Sequence, residues 1–496
     1  MSIDKMEGSS ADEDKTSVFD YRSIDGIHEE IQETYLADDR PWVIGYSGGK
    51  DSTTSLQLIW YAIEDLPEEK RNKPIYVISS DTLVETPKIV NHIISTLENV
   101  NEYAEKKNLP IEAHKVTPKV DDSFWVNLIG RGYPAPNQTF RWCTDRLKID
   151  PADRFIEEKV SEHGEVIVVL GARKDESATR KQVMDLHSIE DTVLSRHSKF
   201  SNAFVYTPIE DWIVDDVWSY LLQVENPWGK NNRDLSALYQ EADDECPMVI
   251  DTKTPSCGNS RFGCWTCTVV SEDKAMQNMI DEGDEWMEPL LEFRDFLKQT
   301  QDPEKKSMYR DVKGRQYGKV KTKDNGDEGI IPRAYKFEFC KDLLQKLLET
   351  EVEVNERITD DEEQMELIRD EELQRIRQIW REERSDWEDS VPKIYERVTG
   401  ERLDWVVDDF GSFGETEGRV LKQVCEENDV PPELVKKLLD TELQHHGMKR
   451  RASIYDQIDR VLGEDWRTPE EIVAVIEGEE NIEKWQYDST GSGCSQ

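Results

Sequence analysis

Residues 42–58 read WVIGYSGGKDSTTSLQL, in which an apolar run is followed by a glycine-rich turn and a second, longer segment. The apolar run at residues 42–44 predicts a short buried strand, and the segment after residue 52 has the composition of a helix. Between them lies the turn SGGKDS, residues 47–52, with two glycines, two hydroxyls and one ammonium. A strand, a glycine turn and a helix in this order place backbone N–H groups and a helix N-terminus around phosphate oxygens. The turn is not a Walker A loop, which needs the spacing GxxxxGK[ST].

The chain has 496 residues, enough for two to four domains, of which 36% are hydrophobic and 34% charged. No apolar run approaches the roughly 18 residues that a membrane helix needs. The first residues, MSIDKMEGSSADEDK, are acidic where a signal peptide is basic. We therefore expect a cytoplasmic protein without membrane contact. Its eight cysteines are then expected to be reduced thiols or metal ligands rather than disulfides.

The formal net charge is −43, from 106 acidic and 63 basic residues. Such a surface repels nucleic acid in ordinary cytoplasm. Adaptation to a high-salt cytoplasm, and hence a halophilic source, is one explanation, because the Debye length falls to about 3 Å at 1 M salt. The alternative explanation is an acidic protein that contacts DNA only through a basic partner or a local basic patch. One basic patch comprises Lys313, Arg315, Lys319, Lys321, Lys323 and Arg333.

Strand and helix patterns alternate in the first half of the chain, as is typical of a parallel α/β sheet. Strands are predicted at 42–44, 74–78, 111–116 and 166–170, and helices at 23–36, at 86–107 and from residue 214. Ligands of such sheets bind at the carboxyl ends of the strands, where Asp81 and the stretch GARKDESATR (171–180) come after the second and fourth strands.

Composition divides the chain into five parts. We expect a disordered acidic leader at 1–20, a parallel-sheet domain at 21–240, a cysteine-rich module at 241–270, a helical and hairpin region at 271–400, and a helical unit with a flexible tail at 401–496. Within the fourth part, the pattern predicts a helix at 279–300, a hairpin at 317–337 and one or two long exposed helices at 339–395.

The cysteines suggest a metal centre. Four of them, Cys246, Cys257, Cys264 and Cys267, lie close together in one segment that ends in C-x2-C. Tetrahedral zinc and a four-cysteine iron–sulfur cluster both fit this set of ligands. Cys143, in the stretch RWCTDRLKIDP, is a fifth candidate, and the basic side chains around it favour a lowered thiol pKa.

The order SGGKDS, SSDT, RWCTDRLKIDP, GARKDESATR and PIEDWIVDDVWSYL resembles the PAPS-reductase branch of the PP-loop ATP pyrophosphatases, over roughly residues 40 to 235. Members have an adenine nucleotide α-hydrolase-like fold, cleave ATP between the α- and β-phosphates and adenylate a substrate oxygen. The resemblance implies ATP and Mg²⁺ as cofactors. The implied nucleotide-binding residues are Ser47, Gly48, Gly49, Lys50, Asp51, Ser52, Asp81, Arg173, Glu176, Ser177 and Arg180.

The resemblance also implies roles for individual residues. Lys50 and the glycine amides would stabilise departing pyrophosphate, Asp51 would help to hold Mg²⁺, and Arg173 with Arg180 would clamp the acceptor or the α-phosphate. The implied catalytic residues are Lys50, Asp51, Cys143 and Arg173. Iron–sulfur members pair a cysteine of the RWC-type motif with a later CxxC. A 4Fe-4S cluster is therefore implied at Cys264 and Cys267, with Cys246, Cys257 and Cys143 competing for the remaining places and zinc as the alternative.

The same motifs together with PSCGNSRFGCWTC and a long acidic helical tail resemble the DndC family, the sulfurtransferases of DNA phosphorothioate modification. The resemblance implies ATP-dependent replacement of a nonbridging DNA phosphate oxygen by sulfur. The implied partners are DNA, a cysteine desulfurase as sulfur donor and other subunits of the modification complex. The strong acidity departs from most members. The alternatives are an APS/PAPS reductase or tRNA thiolase of the same superfamily, and a non-catalytic ATP-binding assembly subunit.

Overall fold

A computed structural model describes residues 16–190, 192–243, 263–311, 334–358, 364–406, 414–445, 452–464, 466–467 and 471. The chain forms two compact units. The first comprises Met1–Asp81, Thr86–Val116 and Pro151–Phe262, and the second comprises Thr82–Glu85, Thr117–Asp150 and Gly263–Gln496.

The first unit is built on a six-stranded sheet. Its strands are β1 (Trp42–Gly45), β2 (Ile75–Ser80), β3 (Ile111–Val116), β4 (Val166–Leu170), β5 (Leu194–Arg196) and β6 (Ala203–Tyr206). The strand order is β3-β2-β1-β4-β6-β5, and every neighbouring pair is parallel except β5 with β6. The predicted parallel α/β fold is confirmed, and so are the first four strands. The edge hairpin of β5 and β6 was not predicted.

Seven helices accompany this sheet in the described residues. They are α1 (Ile24–Leu36), α2 (Lys50–Glu64), α3 (Pro87–Lys106), α4 (Asp150–His163), α5 (Ala178–His187), α6 (Val214–Gln223) and α7 (Asn232–Asp243). Central β1 and α2 bury their apolar side chains completely, as Trp42, Leu56 and Trp60 show. This burial fixes the glycine turn between β1 and α2 on a rigid base, because well-packed cores deform little.

The predicted acidic leader at 1–20 extends too far. Residues 1–15 lie outside the described residues, but Val18–Asp20 form a 3₁₀ turn and Val18 is buried. The Val18 N–H donates to the Asp216 carboxylate at 3.1 Å. An apolar side chain and a buried carboxylate therefore tie this segment to the first unit.

The second unit is mainly helical, as predicted for the C-terminal region. Its described helices are α8 (Lys274–Asp281), α9 (Glu288–Gln299), α10 (Lys306–Tyr309), α11 (Phe337–Arg357), α12 (Asp370–Glu383), α13 (Ser390–Thr399), α14 (Glu415–Glu427), α15 (Pro432–His445) and α16 (Ala452–Leu462). Two π-helical turns, Val126–Gly130 and Thr144–Ile149, complete it. No helix of the described residues is both long and apolar enough to cross a membrane.

The predicted domain at 21–240 is wrong for residues 117–150, which belong to the second unit. The Trp125 indole donates to the Leu367 carbonyl at 2.6 Å, and the Trp380 indole donates to the Ile129 carbonyl at 3.1 Å. These indoles are fully buried in the core that the C-terminal helices form. Long-range packing, rather than position in the sequence, assigns the RWCTDRLKIDP stretch to this unit.

Two further expectations are corrected in the second unit. The helix predicted at 279–300 is interrupted at Gly283, whose φ of +124° is incompatible with an α-helix. Residues 339–395 were expected to form one or two long exposed helices, but the structure has three helices there, α11, α12 and α13. These helices bury side chains such as Leu347 and Trp380 in the core. The basic patch and most of the hairpin predicted at 317–337 lie outside the described residues.

Candidate nucleotide site and cysteine cluster

The glycine turn comes directly after β1 and ends where α2 begins at Lys50. Gly48 has φ +75°, and a Cβ at this position would lie 2.9 Å from Cγ1 of Ile93. Both the backbone conformation and the space therefore require glycine there. The Tyr46 N–H donates to the Ile78 carbonyl at 2.8 Å, so that the chain stays paired with β2 up to the turn.

Ser52 braces the turn from inside. Its hydroxyl accepts the Ser47 N–H at 3.2 Å, lies 3.1 Å from the Ser47 hydroxyl and donates to the Gly49 carbonyl at 3.0 Å. Ser52 is buried, so it shapes the loop rather than extending into solvent. The first amides of α2 have no acceptor within the helix and carry its positive dipole end. The turn can therefore bind an anion such as phosphate.

Arg173 and Asp51 form the central ion pair of the site. The Arg173 Nε donates to Oδ1 of Asp51 at 2.6 Å, and the Arg173 residue is only 5% exposed. The second Asp51 oxygen lies 3.3 Å from the Lys50 ammonium. Arg173 thus holds the start of α2, and a direct contact with phosphate remains a prediction. Since two cations already neutralise the Asp51 carboxylate, this arrangement does not fit Mg²⁺ at Asp51.

The stretch 171–180 approaches the backbone of the turn most closely at Gly171. A Cβ on Gly171 would lie 2.6 Å from the carbonyl oxygen of Asp51. Beyond it, the Glu176 carboxylate accepts the Arg173 N–H at 2.9 Å, and the Ser177 hydroxyl caps α5 by accepting the Arg180 N–H at 3.1 Å. Glu176 and Ser177 therefore organise the loop. The exposed Arg180, 3.2 Å from Glu176, is the side chain here that a ligand reaches most easily.

Asp81 directly follows β2, and its carboxylate lies 3.1 Å from the Lys115 ammonium. Sequence analysis missed Tyr239 of α7, whose hydroxyl accepts the Lys50 N–H at 3.2 Å. No local sequence signal distinguishes this tyrosine from a core residue. A cavity of about 190 Å³ lies beside the turn, because Tyr46 before the turn and Thr53 after it both line the cavity. The other lining residues are His92, Thr96, Asn226, Trp228, Lys230, Asn231, Asn232, Asp234 and Leu235.

Three of the five predicted metal ligands lie among the described residues of the second unit. Cys143 immediately precedes a π-helical turn, a distortion often found at functional sites. Cys264 and Cys267 form a tight turn, in which the Cys267 N–H donates to the Cys264 carbonyl at 3.0 Å. The backbones of Glu85 and Cys264 pair, and the Thr82 hydroxyl lies 3.3 Å from the Cys264 sulfur.

The thiols are coupled electrostatically. Burial raises the pKa of the Cys264 thiol to about 12, against the opposing charge of Lys148. Burial, followed by the charge of Cys267, also raises the pKa of Cys143. The expected lowering of the Cys143 pKa is therefore wrong, because desolvation outweighs the hydrogen bonds from Thr144 that favour the thiolate. Burial alone would lower the pKa of Lys148, but the charges of Cys264 and Glu85 raise it.

The donor chemistry of this cluster suits a thiolate-bound metal, since three cysteine sulfurs lie in one unit. However, the described residues contain no group of three Cys, His, Asp or Glu side chains that could hold a metal ion. The other two predicted ligands, Cys246 and Cys257, lie outside the described residues. A metal centre is therefore a proposal, and no reaction step is assigned to it.

Two family models match the chain. Residues 41–270 match the phosphoadenosine phosphosulfate reductase domain. Residues 416–463 match a family described as a small protein found in certain Dnd DNA modification systems. The chain is thus similar to both families, in separate segments.

Similar proteins add little on function. The uncharacterized protein MJ0066 of Methanocaldococcus jannaschii is 28% identical over 240 residues, which are 48% of this chain and 38% of that protein. The FMN adenylyltransferase of Candida glabrata with FAD and pyrophosphate has 13% identity, a TM-score of 0.25, and coverage of 44% of this chain and 61% of that one. The U34-tRNA thiolase NcsA of Methanococcus maripaludis with its 4Fe-4S cluster has 13% identity, a TM-score of 0.27, and coverage of 56% and 77%. Structural likenesses this weak say nothing about function.

Proposed function

We propose that this protein is an ATP-dependent sulfurtransferase of DNA phosphorothioate modification. The observation that carries the proposal is the combination, in one chain, of a reductase-like domain with a Dnd-associated segment. A phosphate-binding turn in the reductase-like domain supports ATP as a substrate, because its glycines and helix N-terminus suit phosphate oxygens. The partners implied are DNA, a cysteine desulfurase and the other subunits of a modification complex.

The proposed reaction starts with an unreactive oxygen. A nonbridging DNA phosphate oxygen attacks the α-phosphorus of ATP, a P–O bond forms, and pyrophosphate leaves with the electrons of the broken bond. The oxygen is then part of an AMP leaving group. The outer sulfur of a donor persulfide forms the P–S bond as AMP departs, and a second thiolate then attacks the inner sulfur, which leaves the outer sulfur on the DNA and a disulfide as the oxidised product.

The residues of the turn serve the first step. The Gly48 and Gly49 amides and the Lys50 ammonium stabilise the negative charge that develops on departing pyrophosphate. The Arg173–Asp51 pair keeps these donors in place, since its Nε–Oδ1 distance is 2.6 Å and Arg173 is buried. Arg180 contacts the acceptor or the α-phosphate. Cys264 and Cys267, with two of Cys143, Cys246 and Cys257, would hold an iron–sulfur cluster, with zinc as the alternative.

The test incubates the full chain with ATP, DNA and a sulfur donor. It measures the release of pyrophosphate from ATP and the incorporation of sulfur into the DNA. Lys50→Ala should lower pyrophosphate release at least a hundredfold, because it removes a charge that acts on the leaving group. Lys174→Ala is the matched control, since Lys174 bonds to Glu210 at 3.1 Å and Asp211 at 2.9 Å. Full activity of Lys50→Ala would remove the turn from the reaction.

The family match favours one second candidate, a phosphoadenosine phosphosulfate reductase. The two functions differ in their products. A reductase forms sulfite from the sulfonucleotide and needs no ATP. The proposed sulfurtransferase releases pyrophosphate from ATP and forms no sulfite. Sulfite formation without ATP consumption would replace the proposal with the reductase.

A further inference from the structure

Tyr239 lies against the glycine turn although it is 189 residues away in sequence from Lys50. It belongs to α7, and its ring packs edge-on against Trp218, with 5.2 Å between ring centroids. Its hydroxyl would be 3.0 Å from a Cβ at Gly49. This close approach favours glycine at position 49, because a larger residue would push against the tyrosine.

Two groups of Lys50 face this tyrosine. The Lys50 backbone N–H donates to the Tyr239 hydroxyl at 3.2 Å, and the Lys50 ammonium lies 5.1 Å from the centre of the Tyr239 ring. The second distance is within the range of a cation–π interaction. The amide and the ammonium are the two groups of Lys50 that a phosphate ligand would use.

A phosphate oxygen and the Tyr239 hydroxyl compete for the same donor. Lys50 is the first residue of α2, so its N–H has no acceptor within the helix. One N–H carries one hydrogen, and a phosphate oxygen bound at this helix N-terminus needs it. The phenol oxygen therefore holds the position that the ligand oxygen would take.

We propose that Tyr239 is a residue of the phosphate site, and that its hydroxyl holds the Lys50 amide until an oxygen of a nucleoside triphosphate or pyrophosphate replaces it. This inference rests on the proposed ATP site. Displacement frees the amide and removes the Tyr239 ring from beside the ammonium, which keeps its 3.3 Å contact with the Asp51 carboxylate. It also moves Tyr239 relative to Trp218, which couples binding at the turn to α6 and α7.

The experiment compares the full chain with Tyr239→Phe by calorimetric titration with ATP and, separately, with inorganic pyrophosphate. Phenylalanine keeps the ring that packs on Trp218 and removes only the competing oxygen. The expected result is about fivefold tighter binding of both ligands, the value of one neutral hydrogen bond. Tyr61→Phe is the control, because the Tyr61 hydroxyl bonds to the Glu225 carbonyl at 2.8 Å, away from the turn, and its removal should leave both affinities unchanged.

A second measurement follows Trp218 without altering Tyr239. ATP should change the tryptophan emission of the natural chain, and Trp218→Phe should remove most of that change although thirteen other tryptophans remain of the fourteen. Weaker binding by Tyr239→Phe would overturn the proposal, because the hydroxyl would then be a phosphate ligand. Equal affinities together with an unchanged emission would also overturn it. If the natural chain binds neither ATP nor pyrophosphate, the proposed function fails first, and this outcome is distinct from the other two.

Discussion

Gly171→Ala tests whether β4 sets the position of the phosphate-binding turn. Gly171 comes directly after β4, and its φ is not positive, so space rather than conformation requires glycine. An added Cβ would lie 2.6 Å from the Asp51 carbonyl oxygen, 2.7 Å from its carbon and 2.8 Å from the Ser52 nitrogen. All three atoms are backbone of the first turn of α2. The methyl group therefore cannot be accommodated by a side-chain rotation.

The size of the effect can be worked out from these distances. An ordinary contact of about 3.4 Å requires the two backbones to separate by roughly 0.8 Å, and overpacking of this kind costs about 1–3 kcal/mol of folding free energy. The same shift displaces the Asp51 and Ser52 amides. A misplacement of about 1 Å lowers catalysis roughly a hundredfold. We therefore expect pyrophosphate release from ATP to fall by about that factor, with weaker ATP binding.

The assay combines urea unfolding, ATP titration and pyrophosphate release. Gly26→Ala is the matched control in the same unit, because its Cβ would meet only the Ser23 hydroxyl at 3.4 Å and alanine favours the helix. It should keep full activity and equal or greater stability. If Gly171→Ala performs like Gly26→Ala in all three measurements, the close approach of β4 does not position the turn.

Two other substitutions test the charges of the first unit. Arg173→Ala removes one of the two cations beside Asp51, whose side chain is only 20% exposed, and leaves Lys50 as the other. The free energy of unfolding should therefore fall by about 2–3 kcal/mol. A loss below about 0.5 kcal/mol in urea unfolding would show that Arg173 does not brace the start of α2. Burial, followed by the Lys230 charge, lowers the pKa of His92 below its ordinary value of 6.5. Because the unfolded chain then binds a proton at higher pH than the folded one, stability should fall as pH drops below about 6.5, and His92→Gln should lessen this loss between about pH 7 and 5.5. An identical pH dependence in both proteins would count against the buried, neutral imidazole.

Local sequence patterns were enough to predict the central sheet. The runs that form β1, β2 and β4 are apolar because both faces of a parallel sheet are covered, and this composition is visible without any long-range information. The edge strand β5, by contrast, has three residues and partly exposed side chains. A strand so short carries no periodic signal, so the hairpin of β5 and β6 was missed.

Other features depended on contacts that no local pattern contains. The helix expected at 279–300 breaks at Gly283, and single glycines inside helices are common enough that the break could not be placed beforehand. The Cys143 pKa was expected to fall because basic residues surround it in sequence, whereas burial decides its direction. Tyr239 lies at the turn only because α7 packs there. Burial and long-range packing are properties of the fold.

The register of the central strands explains why the order of motifs along the chain predicts a site. In the register of β1, Trp42 lies opposite Ile75 of β2 and Ile167 of β4, and Gly45 opposite Ile78 and Leu170. β1 and β4 therefore end at the same height, and β2 continues for two further residues, to Ser80. The glycine turn after β1, Asp81 after β2 and the Arg173 loop after β4 all follow the carboxyl ends of these strands, at one edge of the sheet. A slip of two residues in β4 would move Arg173 by roughly 6.6 Å and break its 2.6 Å bond to Asp51, although no motif would have changed. The site is therefore encoded as much in the apolar strand residues that fix this register as in the polar residues that perform the chemistry.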